Sequence, residues 1–191
     1  MSVASLQHLK QLDDLIAASL KAFAADTLGS RWCGKEHDWV NTYAHSYLLK
    51  ECAPTGPLYD AGQVTIEVGV PQPPGYTTLA TRRDLVIWAH PGVSCWGEDW
   101  RPIHHPLAIL EWKVHRLGRR NRKQPQEREW LRRYTQWQAA PVAYAVEINL
   151  DCTPSSLTCS RFHAGSEILE WLRLTVNDFG VLPCSPSEGE L

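Results

Sequence analysis

Long apolar runs are missing from this chain. No stretch approaches the roughly 20 residues that cross a bilayer, and the opening MSVASLQHLK has no continuous apolar segment of the signal-peptide kind. A cytoplasmic setting is the expectation. Charge of one sign is not in excess either. Nineteen Lys and Arg against 21 Asp and Glu leave a formal charge of -2, which excludes a chain acting through bulk charge but not one with a local patch. Familiar site signatures are also lacking. The six cysteines include no C-x-x-C pair, and Cys152 and Cys159 are seven apart, a poor spacing for zinc. With no export signal and a chain too long to need staples, the cysteines are read as free thiols in or near the core. The eight histidines form no H-E-x-x-H, and His104-His105 reads as a solvated pair. G-x-S-x-G and Gly-rich phosphate loops are absent, so a small-molecule hydrolase of those kinds lacks its residues.

What is present is an ordinary globular composition, 43% hydrophobic and 21% charged over 191 residues. One domain over 1–182 is expected, with a loose Pro/Ser/Glu-rich tail over 183–191. Leu6, Leu9, Leu12, Ile16, Leu20 and Phe23 recur at three- and four-residue steps, so an amphipathic helix is predicted over 3–28. This stripe packs on its own core or on a second copy, so a homodimer stays open. A second helix is predicted from about His37 to Cys52.

The period then changes. Val64, Ile66, Val68 and Val70 alternate with Thr65, Glu67 and Gly69, the pattern of a half-buried strand. Further strands are read in Leu79–Ala89, Leu107–His115 and Pro141–Leu150, with Leu157–Phe162 as a fifth. A helix is read over Glu127–Trp137. A last helix is predicted over 166–179, with Ile168, Leu169, Leu172 and Val176 as its buried stripe. The class is α/β with a small mixed sheet: three strands in a meander, then a helical crossover to a fourth.

Three residues stand out within this frame. Glu111 and Lys113 are two apart on one strand and share a face. Leu110, Trp112 and Val114 take the other face and can pack on a helix. Two charges on an otherwise apolar strand are costly to bury unless paired or bound to an ion. Asp84 precedes Leu85, Val86 and Ile87 on the neighbouring strand. If the strands pair, the carboxylates of Asp84 and Glu111 converge, and a hard divalent cation relieves their repulsion. The plain alternative is a Glu111–Lys113 ion pair on a solvated sheet face, with Asp84 capping a turn. Glu67, on the polar side of the first strand, is either a further acid near the metal or an exposed strand residue.

Asp84 followed by Glu111-Trp112-Lys113 resembles the D…(D/E)-x-K signature of the PD-(D/E)XK, or restriction-endonuclease-like, nuclease superfamily. The apolar flanks LVIW and LAIL resemble it too. The resemblance implies a core of helix, three-stranded meander, helix and strand, here over about Lys35–Leu150 within a core of 35–162, with the N- and C-terminal helices as additions. It implies a Mg²⁺ ion, replaceable by Mn²⁺, held by Asp84, Glu111 and the Trp112 carbonyl. Lys113 would orient the attacking water and stabilise charge at phosphorus. An acid in the first core helix is common in the family; Glu36 is the candidate and Glu51 its rival. Two departures are visible. Arg83 stands where the family's proline precedes the Asp, and Trp130 stands where one branch carries Gln four residues before Tyr134.

Charge supports the same expectation. Lys113–Arg133 holds nine basic residues and two acidic ones, a local +7 that leaves -9 for the remainder. Phosphate-attracting charge would then lie beside the metal, with Arg82, Arg83, Arg116, Arg119, Arg120, Arg122 and Lys123 as candidate nucleic-acid contacts. The expected activity is metal-dependent hydrolysis of phosphodiester bonds, with DNA as partner. The second reading is a catalytically inactive module of the same fold that binds nucleic acid or a partner.

Overall fold

The computed structural model describes residues 3–30, 34–116, 124–138 and 141–179. A mixed sheet of six strands runs in chain order: β1 (Val64–Pro71), β2 (Ala80–Ile87), β3 (Ala108–His115), β4 (Val142–Asn149), β5 (Ser156–His163) and β6 (Ser166–Thr175). All neighbours are antiparallel except β3 and β4, which pair in parallel along their whole length. A parallel pair needs a crossover, and α3 (Gln124–Trp137) lies between β3 and β4 in the chain. Two helices, α1 (Val3–Thr27) and α2 (Glu36–Ser46), precede the sheet.

The sheet has a core on each face. On one, Leu12, Ile16, Leu20 and Phe23 of α1 and Trp39, Val40 and Tyr43 of α2 meet Leu85, Leu110, Trp112, Tyr144 and Val146. The α1 stripe therefore packs on this chain's own core, although Leu6 stays exposed. On the other face Trp130, Leu131 and Tyr134 of α3 cover Val86, Ile109, Ala143 and Phe162. A partly buried polar contact also docks α1: Asp13 accepts from the Tyr144 hydroxyl at 2.6 Å and from Arg161 Nε at 2.7 Å. No described helix is long and apolar enough to cross a membrane.

The last predicted helix is corrected by the structure. Residues 166–175 form β6, followed by a short 3-10 turn, Val176–Phe179. Ala164 (φ 50°) and Gly165 (φ 78°) are both left-handed, the conformation that joins two strands in a tight hairpin. A bulge between β5 and β6, where Cys159 pairs with Leu172 but Arg161 with Ile168, interrupts the alternation. The apolar residues on either side of it consequently fall at spacings that imitate a helix. Leu169 is 68% exposed, whereas Leu174 is buried.

The first strand departs from its expected single face. Val64 and Ile66 pack with α1 and α2, but Val68 and Val70 belong to the α3 side. Glu67 between them has φ 51°, and a backbone in this region re-aims the strand. Glu67 itself is exposed and accepts a contact from His37 Nδ1 at 2.9 Å.

Phe23 ties α1 to the strand that carries the candidate site. It is fully buried and meets Trp39, Tyr43, Tyr47 and Trp112 edge-on, with centroids 5.3 to 5.7 Å away. Phe23→Ala should cost about 3–5 kcal/mol, read as a lowered urea midpoint at unchanged slope. A loss below about 1 kcal/mol would show that α1 is not part of the cooperative unit.

Candidate active site

The site begins where β2 and β3 part. Their last paired rung is Leu85 with Leu110, so Asp84 and Glu111 are the first residues beyond it on either strand. β3 continues, fully paired to β4 on its other edge. Its open edge would strand backbone N–H groups, and buried donors must find acceptors. Two carboxylates supply them. Asp84 Oδ2 accepts from Trp112 N at 2.8 Å, and Glu36 Oε2 accepts from Val114 N at 3.4 Å.

Glu36 arrives from the first turn of α2. The Lys35 N–H donates to Asp38 at 2.6 Å, tying the start of the helix, and acids are favoured there by the helix dipole. Trp39 Nε1 donates to the Gly34 carbonyl at 3.0 Å, which further fixes the approach. Glu51, the rival acid, lies in the 3-10 turn Leu48–Glu51 beyond the far end of α2.

Lys113 lies at the centre of this group and is only 8% exposed. Its ammonium donates to the Trp112 carbonyl at 2.7 Å and stands 3.2 Å from Glu127 and 3.4 Å from Glu36. Burial alone would lower its pKa, but Glu36, Asp84, Glu127 and Glu111 together raise it, so the amine stays charged at neutral pH. The solvated-face reading of Glu111 and Lys113 is thereby overturned, since both are buried.

Glu111 is 6% exposed, and its Oε1 is 3.1 Å from Arg83 Nη1. Burial is the largest influence and pushes its carboxyl up to about 8. Arg83 and Lys113 pull the other way, and Asp84 adds to the rise. Glu36 is likewise raised, first by burial, with Asp84 adding to it and Lys113 opposing it. The charge of Asp84 thus acts on Glu36, Glu111 and Lys113 alike.

The position of Arg83 corrects its reading as an open nucleic-acid contact. The side chain is buried, bonded to Glu111, and laid over the Trp130 ring with Cζ 3.5 Å from the centroid. The fold-over at Glu67 explains this. β2 turns with its partner β1, so Arg83 faces α3 although Leu85 and Ile87 face the opposite core. Trp130 stacks in turn on Tyr134, at 4.7 Å and 18°, and its Nε1 donates to Gln72 at 3.0 Å. This shelf is not legible in the sequence, where Trp130 registers only as a missing Gln.

Of the other basic candidates, Arg82 is exposed, and Arg116 is half-buried with Nη2 lacking a partner. Arg119, Arg120, Arg122 and Lys123 lie outside the described residues. Three further basic residues of the run are taken up in ion pairs. Arg128 meets Glu147 and Glu167, Arg132 meets Glu129 and Glu167, and Arg133 meets Glu129. Trp88 and Trp112 are core residues, whereas Trp100 is 78% exposed and Trp96 partly so. Among the described cysteines, Cys95 and Cys159 are buried thiols, while Cys52 is half-buried and Cys152 exposed.

The Glu111 carboxyl links the site to stability. In the unfolded chain it ionises near the ordinary 4.5, and in the folded protein near 8. Its contribution to stability is therefore fully present below about pH 4.5 and is lost as pH rises through about 8. Urea titrations in chelator should show Glu111→Gln gaining on the wild type over that window. A difference between the two that stays constant with pH would contradict the assignment.

Compared with protein-family models, with curated proteins and with solved structures, the chain has no match in any of the three.

Proposed function

We propose that this protein is a metal-dependent nuclease acting on DNA, with Asp84, Glu111, Lys113 and Glu36 as its working residues. One observation carries the reading: four chemically demanding side chains converge where β2 and β3 separate, and two of them cap the open edge of β3. A merely structural site would be less costly if apolar, because each buried ion carries a desolvation penalty of several kcal/mol. The order α2, β1, β2, β3, α3, β4 also agrees with the core that the PD-(D/E)XK resemblance implies.

The residues suit a divalent cation. When ionised, Glu36, Asp84, Glu111 and Glu127 bring four negative charges. Lys113 and Arg83 return two positive ones, leaving a surplus of two that one divalent ion cancels. The raised pKa of Glu111 and of Glu36 comes first from burial, with Asp84 adding to it. No group of three or more His, Cys, Asp or Glu placed to hold a metal occurs among the described residues. The donor set that the resemblance implies at the β2–β3 fork is two carboxylates and a backbone carbonyl.

Asp84, Glu111 and the Trp112 carbonyl would hold Mg²⁺ or Mn²⁺. When bound, the ion supplies Lewis acidity at phosphorus and acidifies a water. The chain's own residues supply the remainder. Lys113 keeps a positive charge in a nearly dry site, where it stabilises the charge that develops on the phosphate during in-line attack. Glu36 holds the Lys113 ammonium and the Val114 N–H together, which fixes the amine relative to Asp84. Glu127 restrains the same ammonium from α3. No covalent enzyme intermediate is required.

The second reading, an inactive binding module, is favoured by one observation: Arg83 already pairs with Glu111. Calorimetry with Mn²⁺ separates the two. Heat that disappears in Glu111→Gln supports the enzyme. Salt-dependent DNA binding without metal uptake supports the module.

Cleavage of plasmid or oligonucleotide in Mg²⁺ or Mn²⁺ tests the proposal directly. Asp84→Ala and Lys113→Ala should each lower the rate by about 10²–10³-fold, the usual cost of removing one group that stabilises transition-state charge. Equal activity in wild type and both variants would refute the assignment.

A further inference from the structure

A cleft of about 430 Å³ opens between the β1–β2 hairpin and α3, beside the carboxylate cluster. Tyr76, Arg83, Trp130 and Arg133 are among its lining residues, with Gln72 and Thr81. Glu127 and Glu129 also line it, but both are engaged: Glu127 by Lys113, Glu129 by Arg132 and Arg133. Arg83 therefore belongs to two places at once. One nitrogen meets Glu111 in the cluster, and the guanidinium plane lies on Trp130 in the wall of the cleft.

Its hydrogen bonding is incomplete. Arg83 has a side-chain exposure of 9%, and its Nε is buried without a partner. A buried donor left unmade is costly, and a guanidinium presents five donors in a rigid fork suited to a carboxylate or a phosphate. Glu111 uses one of them. The Trp130 shelf holds the plane by its face and leaves the donor edges free to change partner.

We propose that Arg83 is a displaceable partner of Glu111: it is bonded to the Glu111 carboxyl while the metal is absent, and once the metal takes Glu111 it binds a backbone phosphate of the nucleic-acid strand in the adjoining cleft. This rests on the nuclease reading and extends it to how the metal and strand are coupled. The physical requirement is simple. Glu111 cannot serve Arg83 and a divalent ion equally, because the two cations compete for one carboxylate and repel each other. Arg83 and Trp130 both line the cleft, so a guanidinium released from Glu111 stays within reach of it. The released guanidinium then adds positive charge where a phosphate flanking the scissile one would sit. Metal and strand thereby favour each other's binding.

The test uses the full chain and two probes, Mn²⁺ and a short DNA duplex. Free Mn²⁺ is followed by electron paramagnetic resonance, and duplex binding by fluorescence anisotropy. Arg83→Gln should bind Mn²⁺ about tenfold more tightly than the wild type, yet bind the duplex about tenfold more weakly at saturating Mn²⁺. A tenfold change corresponds to about 1.4 kcal/mol. Opposite signs are the diagnostic, because a purely structural role for Arg83 would weaken both, and that result overturns the proposal. Unchanged Mn²⁺ affinity overturns it as well.

A metal-free arm guards against misfolding of that variant. In chelator, Glu111→Gln frees Arg83, so duplex binding should strengthen. In Arg83→Gln/Glu111→Gln the gain from the Glu111 change should shrink to a small remainder. An equal gain with and without Arg83 refutes the idea. Absence of Mn²⁺ uptake by wild type and Arg83→Gln alike would instead bring down the nuclease reading itself, and this inference with it. Cleavage that persists while Mn²⁺ affinity ignores Arg83 removes only the present inference.

Discussion

The parting of β2 from β3 after Leu85 and Leu110 is the constraint on which the candidate site depends. A sheet strand that loses its neighbour must satisfy its open edge or leave donors unpaired. Here carboxylates do so: Asp84 takes the Trp112 N–H, and Glu36 takes that of Val114. The backbone requirement and the chemical one coincide. The groups that complete the sheet are also those that gather negative charge around Lys113. Because β3 is locked to β4 along all eight residues, the far side of the fork is rigid, and Glu111 and Lys113 share one face of a strand that cannot slip.

The cluster is a compromise between stability and readiness. Burial raises the Glu111 carboxyl to about 8 despite Arg83 and Lys113 nearby, so the folded protein carries an acid that resists ionisation. Lys113 is held charged by four acids against the same burial. Such arrangements are costly to fold around. The costs are offset by large cores on both sides of the sheet: the ring cluster about Phe23 and Trp112 on one, and the stack of Trp130 on Tyr134 on the other. Arg83 connects the second of these to the cluster, so packing of α3 and charge balance at Glu111 are one problem.

Much of the fold was legible in the chain. The α1 stripe and the Glu127–Trp137 helix follow from period, because each buries one face, and the strands around Leu85, Leu110 and Val146 follow from short apolar runs buried on both faces. Glu111 and Lys113 stand out since charges at alternate positions of an apolar strand need a reason. Two features mislead. The bulge opposite Cys159 and Arg161 breaks the alternation of β6 and gives Ile168, Leu169, Leu172 and Val176 a helical spacing. At Glu67 a left-handed residue divides the valines of β1 between two cores, although their alternation in sequence is unbroken. Neither event has a strong local signature, because the left-handed residues there, Glu67 and Glu170 (φ 46°), are not glycines.

Sequence by itself determined the α/β class, the order of helices and strands up to β5, and the pairing of an acid and an amine on one face of β3. Those properties depend on periodicity and neighbours along the chain. Tertiary structure alone decided which distant groups meet: that Glu36 rather than Glu51 reaches Lys113, that Asp84 caps an open edge, and that Arg83 abandons the surface for Glu111 and Trp130. These choices depend on where two strands diverge and how a hairpin twists, quantities set by packing across the sheet rather than by residues adjacent in the chain.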